Sequence, residues 1–443
     1  MSARRTKTGE VRLEDGKQGN RQREILVHDA HRGKRRRSPL INALKIAAGS
    51  ANAYADARYR VASGESRLKT LVLGGYGNFG TRICRALAGD PSIQLLIGGR
   101  DLSRSQSLAN EVGGGAQGIV IDLDGQGLAQ SLREAEVELL IHTAGPFQQQ
   151  SYGVATAAAA AAAHYIDLAD GRRFVCDFAD AMDATFRTAG RSAITGASTV
   201  PALSSAVVDH LCHGWRRIDA IDICIAPAQT APRGRATLAA VLSYCGEPIQ
   251  VWNQGRWQPQ IGWASPERVV FARLRPRLGA LCDIPDLEVF PQHYKVTRRV
   301  MFRAAIEVGI AQRAFAMLAA LRAARLIGQP ARLAGVLNRA ARALDFMGTS
   351  TGGMVVRVDG ADASNQPVRH AWHVTAGNDH GPEIPCMAAI LLARRLARGE
   401  DLPTGAFACM NRLRLADFEP EFTRWGMVTD TVKEVANRGA STP

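Results

Sequence analysis

Residues 71–80 read LVLGGYGNFG, an apolar strand that runs directly into a glycine-rich turn. The glycines have the spacing Gly75-x-Gly77-x-x-Gly80, and residues 81–87 continue in a helical pattern. In this arrangement Gly75 allows the tight turn, Gly77 lets a pyrophosphate approach the backbone, and Gly80 lets the helix pack on the strand. The stretch therefore predicts a dinucleotide-binding loop.

The helix that follows this turn is predicted to begin at Asn78 and Phe79. The first backbone N–H groups of a helix have no partner within it, and the positive end of the helix dipole lies there. We therefore expect Asn78 and Phe79 to bind the cofactor phosphates together with the three glycines of the motif.

Strands and helices alternate from residue 68 to residue 195. The predicted strands are 68–73, 93–97, 118–121, 138–142, 164–168 and 192–195, and helices are predicted at about 78–88, from 101, at 154–163 and at about 174–187. This alternation predicts a parallel sheet with right-handed crossovers. The expected fold class is α/β, with a Rossmann-type sheet.

The pattern changes after Pro201, where strands no longer alternate regularly with helices. Strands are predicted at 218–225, 269–273, 300–308, 354–358 and 371–375, with a hairpin around 253–255. Helices are predicted at 236–244, at 310–346 with a break at 328–330, and at 382–398. This order predicts a mixed α+β domain of the kind that binds a substrate.

The net charge of +14 is concentrated near the N-terminus. Residues 1–40 hold 12 Lys/Arg and five Asp/Glu, and they are polar and aperiodic, so we expect a disordered basic tail. No aromatic residue stands among these charges to stack on bases, and nucleic acid is therefore not an expected partner. Residues 41–66 are expected to form a lead-in helix and linker.

The length of the apolar runs and the spacing of the cysteines indicate the cellular compartment in which the protein is expected. The longest apolar runs are far shorter than the ~20 residues of a membrane helix, and the basic N-terminus has no apolar signal core. The eight cysteines are scattered and form no Cys-x-x-Cys pair, which favours reduced thiols over a disulfide framework or a zinc site. We expect a cytoplasmic protein without a metal centre.

The choice of cofactor depends on the residue about 20 positions beyond the glycines. An acidic residue there binds the ribose of NAD, but this chain has Arg100, with Arg104 one turn further. A guanidinium suits a 2′-phosphate, so NADP is favoured. The neighbouring Asp101 keeps NAD as the alternative, although Asp101 or Ser103 is also the expected N-cap of the next helix.

Two further strand ends carry candidate cofactor residues. Asp122 ends the third strand, where it either binds the adenine or caps the loop. The small residues Thr143, Ala144, Gly145 and Pro146 end the fourth strand, outside the carboxyl ends where ligands of such sheets bind. We expect them to contact the nicotinamide ribose.

Taken together, these motifs resemble those of the saccharopine dehydrogenase-like oxidoreductases. The resemblance rests on segments in the right order, namely 74–80, 99–100, 143–147 with Gly153, 165–168, and 196 with 201–203, and it continues more thinly in 381–398. It implies an NAD(P)-binding Rossmann domain, an inserted substrate domain, and a C-terminal segment that returns to the first domain. The expected divisions are 1–40, 41–66, 67–200 (Rossmann), 201–380 (substrate or dimerisation) and 381–443 (returning segment).

The chain departs from the family pattern on the substrate side. Asp170-Gly171 stands where many members have Gly-Glu, and Gly196-Ala197-Ser198 stands where many have Gly-Phe-Asp. These changes remove acidic positions near the expected substrate. Saccharopine itself is therefore not the expected substrate.

Hydride transfer needs a proton donor near the nicotinamide. The candidates at the strand ends are Asp167 and Asp170, with His142 and Tyr165 as less favoured ones. The alternative for Asp167 is a cap on the helix at 174, and the alternative for His142 is a core position. The pair His210-x-x-His213 has no acidic third ligand close in sequence, and the side chains of His370-x-x-His373 face opposite ways on a predicted strand, so no metal site is predicted.

The sequence as a whole predicts an NADP-favouring, NAD(P)-dependent oxidoreductase that acts on a small or lipid-like substrate. The alternative is a cofactor-binding protein without turnover, serving as a scaffold or lipid-associated partner. Residues 310–346 carry six arginines, which we interpret as the solvated face of packed helices in preference to a surface for membrane contact. The sequence leaves the oligomeric state open and is compatible with a homodimer.

Overall fold

A computed structural model describes residues 67–123, 127–232, 235–328, 330 and 334–435 of the chain. The expected basic tail at 1–40 and lead-in helix at 41–66 lie outside these residues. All eight cysteines lie within them and are unpaired. No helix in these segments is long and apolar enough to cross a membrane.

The first part of the described chain alternates strands and helices as predicted. The strands are β1 Leu68–Leu73, β2 Ile93–Gly99, β3 Gln117–Val120, β4 Leu139–His142, β5 His164–Asp167 and β6 Ser192–Thr195. The helices are α1 Asn78–Leu87, α2 Leu102–Val112, α3 Leu128–Glu134, α4 Gly153–Ala160, α5 Arg172–Cys176 and α6 Phe178–Ala189. The single helix expected at 174–187 is thus two helices.

The middle of the chain is mixed. Its helices are α7 Ser204–Leu211, α8 Arg235–Ser243, α9 Asp286–His293, α10 Gly309–Ala323 and α11 Ala334–Arg342. Its strands are β7 Arg217–Ala226, β8 Pro248–Asn253, β9 Arg256–Ile261, β10 Glu267–Val269, β11 Arg277–Leu281, β12 Arg299–Ala304, β13 Gly352–Ala361 and β14 Pro367–Ala376. The last described segment contains α12 Ile384–Ala397, β15 Gly405–Ala408, α13 Leu415–Arg424 and β16 Val428–Val435.

Two sheets organise these elements. The first has the strand order β15-β6-β5-β4-β1-β2-β3, and all its pairs are parallel. Without β15 this is the order of a dinucleotide-binding Rossmann sheet. The second follows the path β10-β11-β12-β7-β13-β14-β16, with β8 on β12 and β9 on β8. Only β12 and β7 are parallel among these pairs, so the second sheet is mixed. The predicted fold class is confirmed.

Two of the predicted strands are longer than the observed ones, because side-chain contacts or strand pairing end the strand early. The strand expected at 269–273 ends at Val269, because β10 turns back there to pair Val269 with Arg277 of β11. The strand expected at 300–308 ends at Ala304, and the Gln312 side chain then accepts the N–H of Ile306 at 2.9 Å. Strand β11 and helix α9 were not predicted, because β11 is short and Pro291 lies inside α9.

The C-terminal segment contacts both sheets. Helix α12 packs on α1, where the thiol of Cys386 donates to the carbonyl of Phe79 at 3.6 Å and Arg82 pairs with Glu383 at 2.9 Å. Strand β15 extends the first sheet beside β6, whereas β16 pairs antiparallel with β14 of the second sheet.

Buried side chains connect the two sheets. One core cluster extends from Val72 and Ile83 of the first sheet layer to Ile223 and Trp372 of the second. A second cluster, which includes Tyr165, covers the opposite face of the first sheet.

Candidate dinucleotide and substrate site

The glycine loop joins β1 to α1 with very little space for side chains. A Cβ on Gly80 would lie 2.2 Å from the carbonyl oxygen of Gly74, so only glycine lets α1 start so close to the strand. Gly77 is exposed, and a Cβ there would meet only that same carbonyl, at 3.0 Å. The loop is thus closed toward the core and open on the outside, which is the shape that a pyrophosphate requires.

The first turn of α1 is built for an anion. No acidic residue lies in this turn, so nothing within it offsets the positive end of the helix dipole. Arg82 donates to the carbonyl and to the side-chain Oδ1 of Asn78, at 2.6 and 2.8 Å. These bonds orient Asn78 at the start of the helix.

The end of β2 forms a second part of the site, around Tyr76. The guanidinium of Arg104 lies 4.3 Å from the centre of the Tyr76 ring, and the Tyr76 hydroxyl accepts the N–H of Asp101 at 3.2 Å. A Cβ on Gly99 would come within 2.3 Å of this ring, so the tyrosine packs where β2 has no side chain. The sequence reasoning passed over Tyr76, which occupies a variable position of the glycine motif.

Arg100 and Asp101 take different roles. Arg100 is exposed and forms no salt bridge with any residue that the structure describes. Asp101 caps α2, because its Oδ1 accepts the N–H of Arg104 at 3.1 Å. Asp122 is exposed just beyond β3. Arg100 and Asp122 therefore lie just beyond the carboxyl ends of the neighbouring strands β2 and β3, and Arg104 lies in the first turn of α2.

The segment after β4 is tied to the glycine loop. The Thr143 hydroxyl lies 2.9 Å from the Leu73 carbonyl and 3.2 Å from that of Gly74. The Gln150 side chain donates to the carbonyls of Ala144 and Pro146 at 2.7 and 2.9 Å. These bonds hold residues 143–146 beside the glycine loop.

Asp167 is fully buried at the end of β5. Its Oδ1 accepts hydrogen bonds from the N–H of Ala169, the hydroxyl of Thr195 and the N–H of Gly196, at 2.8–2.9 Å. Burial raises the pKa of Asp167 to about 6, although these donors oppose the shift. In this position the carboxylate fixes the loop after β6.

Asp170 lies three residues further, half-buried, and accepts a bond from the Gln148 side chain at 3.1 Å. Desolvation raises the pKa of Asp170, which favours the protonated form. Tyr244 lies nearby, and desolvation together with Cys282, Asp170 and Asp283 raises the pKa of its hydroxyl well above the usual value. Tyr244 follows α8 in the second sheet's domain, so no sequence motif linked it to Asp170.

Arg172 and its acidic partners, which we call the Arg172 cluster, join the two domains close to Asp170. Arg172 donates to Glu288 at 2.7 Å, to Asp283 at 3.1 Å and to the carbonyl of Gln250 at 2.8 Å. Its side chain is only 9% exposed. This arginine directly follows Gly171, so it holds the Asp170 segment against the second domain.

His142 is a core residue. It is fully buried at the end of β4, its Nδ1 lies 3.1 Å from the Tyr165 hydroxyl, and its ring packs on Phe147. Burial lowers the pKa of His142 to about 4, so the ring is neutral at physiological pH.

A cavity of about 340 Å³ lies where the two domains meet. Asn78 and Phe79 of α1 form part of its wall, as does Thr199 after β6. The other walls come from the ends of β7, β12 and β13, from helices α8, α10 and α11, and from the start of α12. Most of these side chains are apolar, and they include Ile225, Leu238, Val241, Trp263, Phe315 and Met354.

The described residues contain no group of three or more His, Cys, Asp or Glu side chains arranged to bind a metal. Of the two His-x-x-His pairs, His370 contacts the carbonyl of Leu211 at 3.1 Å, and His373 accepts the N–H of Ala272 at 3.2 Å.

Comparison with known families fits this geometry. Residues 70–200 match the family model described as the saccharopine dehydrogenase NADP binding domain. These residues are therefore similar to the cofactor-binding domain of that family. The resemblance predicted from the motifs is therefore confirmed. The NADP-binding domain supports a nicotinamide dinucleotide as the cofactor, and its glycine loop fits such a group. The comparison with curated proteins found no match.

Two solved structures share the fold of most of this chain, beyond the residues that the family model matches. One is apo saccharopine dehydrogenase (L-Glu forming) from Saccharomyces cerevisiae, with 11% identity and a TM-score of 0.59 over 83% of this chain and 99% of that one. The other is a homospermidine synthase from Legionella pneumophila in complex with NAD, with 10% identity and a TM-score of 0.53 over 86% of this chain and 94% of that one. At these identities the likeness shows the fold alone.

Proposed function

We propose that this protein is an NADP-dependent oxidoreductase whose substrate is a small apolar or lipid-like molecule. The observation that carries the proposal is that Asn78 and Phe79 have two roles. They begin the helix at the predicted phosphate site, and they also line the apolar cavity. A dinucleotide on the glycine loop would therefore share a wall with whatever fills the cavity.

The chain's own residues have distinct roles in cofactor binding. Gly75, Gly77 and Gly80 make room for the pyrophosphate, and the first turn of α1 binds its charge. Arg100 is placed to bind a 2′-phosphate, while Arg104 and Tyr76 form a flat surface beside the adenine. When bound in its reduced form, the nicotinamide supplies a hydride. Residues 143–146 and Asp122 complete the pocket.

We assign the proton donor to Asp170. Its raised pKa keeps the carboxyl protonated more than an ordinary aspartate, and Gln148 fixes its orientation. Tyr244 contributes a second hydroxyl on the opposite side of the domain boundary. Asp167 has a positioning role, because its Oδ1 is occupied by the loop that leads from β6 toward Thr199.

Glu307 is the charged side chain among the described residues of the cavity wall, and it is already paired. Glu307 pairs with Arg277 at 3.4 Å and accepts the N–H groups of Gln229 and Thr349 at 3.0 and 3.1 Å. Burying a charged substrate against such a wall would cost several kcal/mol, on the order of the desolvation of one ion. The cavity therefore favours an uncharged substrate. The eight unpaired cysteines of the protein support a cytoplasmic location.

The test is NADPH consumption with a panel of aldehydes, ketones and enoyl compounds whose alkyl chains differ in length, with charged amino-acid imines as the contrast. We expect kcat/KM to rise with chain length until the cavity is filled and to be negligible with the charged compounds. Turnover restricted to charged compounds would contradict the substrate class. NADPH binding without turnover of any compound would favour a cofactor-binding protein instead.

A further inference from the structure

Exposed apolar side chains are concentrated in one segment of the described chain. Six of the twelve large apolar side chains that are exposed in the described segments lie between residues 310 and 347. They are Ile310, Met317, Leu326, Val336, Phe346 and Met347. Phe346 is 84% exposed and Leu326 is 72% exposed. Such a cluster on a folded protein marks a surface that meets an apolar partner.

Helical spacing places apolar and basic side chains together on these helices. In α10, Ile310, Arg313 and Met317 are separated by three and four residues and are all exposed, so they share one side of the helix. In α11, Val336, Arg339 and Arg342 are each separated by three residues and are also all exposed. We call these six residues, with Arg325, Leu326, Phe346 and Met347, the outer face.

The opposite sides of the same helices line the cavity. Ala311 and Phe315 of α10, and Leu337 and Ala341 of α11, form part of its wall. Each pair has the i, i+4 spacing that places two side chains on one side of a helix. One pair of helices thus covers the cavity on the inside and presents apolar and basic groups on the outside.

The arginines of the outer face have no acidic partner within the described segments. Arg313, Arg325, Arg339 and Arg342 form no salt bridge with any described residue, whereas the neighbouring Arg322, which is not part of this face, pairs with Glu247. The one acidic residue between 309 and 347 is Asp345, which accepts a bond from Gln229. The outer face therefore has an uncompensated positive charge beside apolar side chains.

This charge decides between occupants. A second copy of the outer face would bring like charges together, and so would the N-terminal residues 1–40, which hold 12 Lys/Arg against five Asp/Glu. An anionic lipid surface satisfies both features, because it accepts apolar side chains below the headgroups and binds arginines at the headgroups.

We propose that the outer face is a docking surface for an anionic phospholipid membrane. Docking by α10 and α11 would place the cover of the cavity against the lipid. The inference is separate from the proposed oxidoreductase activity, since it concerns binding and needs no turnover.

The test is co-sedimentation of the full chain with vesicles of phosphatidylcholine containing about 30% phosphatidylserine, compared with phosphatidylcholine alone. We expect binding to the anionic vesicles that weakens at about 0.5 M salt, where charges are screened within a few Å. The Arg313→Gln/Arg339→Gln variant should bind about 30-fold more weakly, which corresponds to about 1 kcal/mol for each arginine. The Ile310→Ser/Met317→Ser variant should lose a similar factor.

Matched controls replace exposed residues elsewhere. Arg85→Gln/Arg187→Gln removes two exposed arginines, and Val120→Ser/Val428→Ser removes two exposed apolar residues. Both should bind vesicles as the unchanged chain does. The N-terminal tail is present in every variant, so equal binding by the outer-face variants and the controls would overturn the proposal. Light scattering measures the oligomeric state of the outer-face variants. If these variants lost a dimer that the unchanged chain forms but still bound vesicles as it does, the outer face would be an interface between copies and the proposal would be overturned.

Discussion

The guanidinium of Arg104 lies 4.3 Å above the centre of the Tyr76 ring, which joins the glycine loop to the first turn of the helix after β2. The two residues are 28 positions apart, and both lie beside the predicted adenine site. Through this pair, the tight turn of the motif contacts the segment that we propose to select the cofactor.

Replacing Tyr76 should weaken the binding of NADPH and NADH alike. Tyr76→Ala removes the ring that holds Arg104, and a cation–π contact contributes about 0.5–1 kcal/mol at a partly exposed site, so we expect a Kd about two- to fivefold higher. Tyr76→Phe keeps the ring and should stay within about twofold. Titration of NADPH fluorescence measures both. A Tyr76→Ala protein with unchanged affinity would remove Tyr76 from the site.

Arg100 should discriminate between the two dinucleotides. Arg100→Ala removes a charged donor to the 2′-phosphate, and such bonds contribute about 1.5–3 kcal/mol, so the Kd of NADPH should rise about 10- to 100-fold. The Kd of NADH should change little. Arg85→Ala, on the outer side of α1 and paired with Glu111, is the control. Equal losses for both dinucleotides would show that Arg100 does not read the 2′-position.

The glycine at the start of α1 should not tolerate a methyl group. Gly80→Ala would place the new carbon 2.2 Å from the Gly74 carbonyl, so the helix must move, and we expect a loss of about 2 kcal/mol in unfolding free energy as well as of NADPH binding. A Cβ on Gly89 meets no atom within 4 Å, so Gly89→Ala should be nearly neutral. Urea unfolding and fluorescence titration measure the two effects.

Arg172 should stabilise the contact between the two domains. Arg172→Met leaves Asp283 and Glu288 without their shared partner, and breaking a largely buried ion pair costs about 3 kcal/mol. Arg187→Met removes an exposed pair with Asp183 and should cost less than about 1 kcal/mol. Thermal unfolding compares the variants. Similar changes in melting temperature would indicate that the Arg172 cluster is a surface feature only.

Asp286 should make the fold less stable as pH rises. Burial raises the pKa of Asp286 to about 7, opposed by the nearby Ser204, whereas an unfolded aspartate titrates near 3.8. The folded state therefore holds the proton more tightly, and its stability falls between about pH 4 and pH 7. Asp286→Asn should be more stable than the unchanged chain at pH 8, on the order of 2–4 kcal/mol, with the gain disappearing near pH 4.

The control for that experiment is Asp401→Asn, which makes the same change at an exposed position. Denaturant unfolding at several pH values gives both curves. A gain for Asp286→Asn that is the same at pH 4 and pH 8 would mean that packing, not titration, causes it.

The parts of the site that local sequence determines were predictable. The glycine loop, α1, and the strand ends at Arg100, Asp122 and Thr143 follow from short-range patterns, and in a parallel sheet such ends meet at one edge. The domain family followed from the same motifs.

Residues that act through distant contacts were not predictable. Tyr244 lies 74 positions beyond Asp170, and Glu288 lies 116 positions beyond Arg172, so neither partnership leaves a local pattern. Strand β15 has four residues and carries no alternation, yet the open edge of β6 gives it a partner. These features depend on how the second domain packs on the first.

The pairing of β15 with β6 and of β16 with β14 bears on how the protein matures on the ribosome. The first sheet lacks its last strand until synthesis has passed residue 408, and the second sheet lacks its last strand until synthesis has passed residue 435. Helix α12, which packs on α1 at the proposed phosphate site, also emerges late. A nascent chain stalled near residue 380 would expose the bare edges of β6 and β14, two templates for aggregation that chaperones would have to shield.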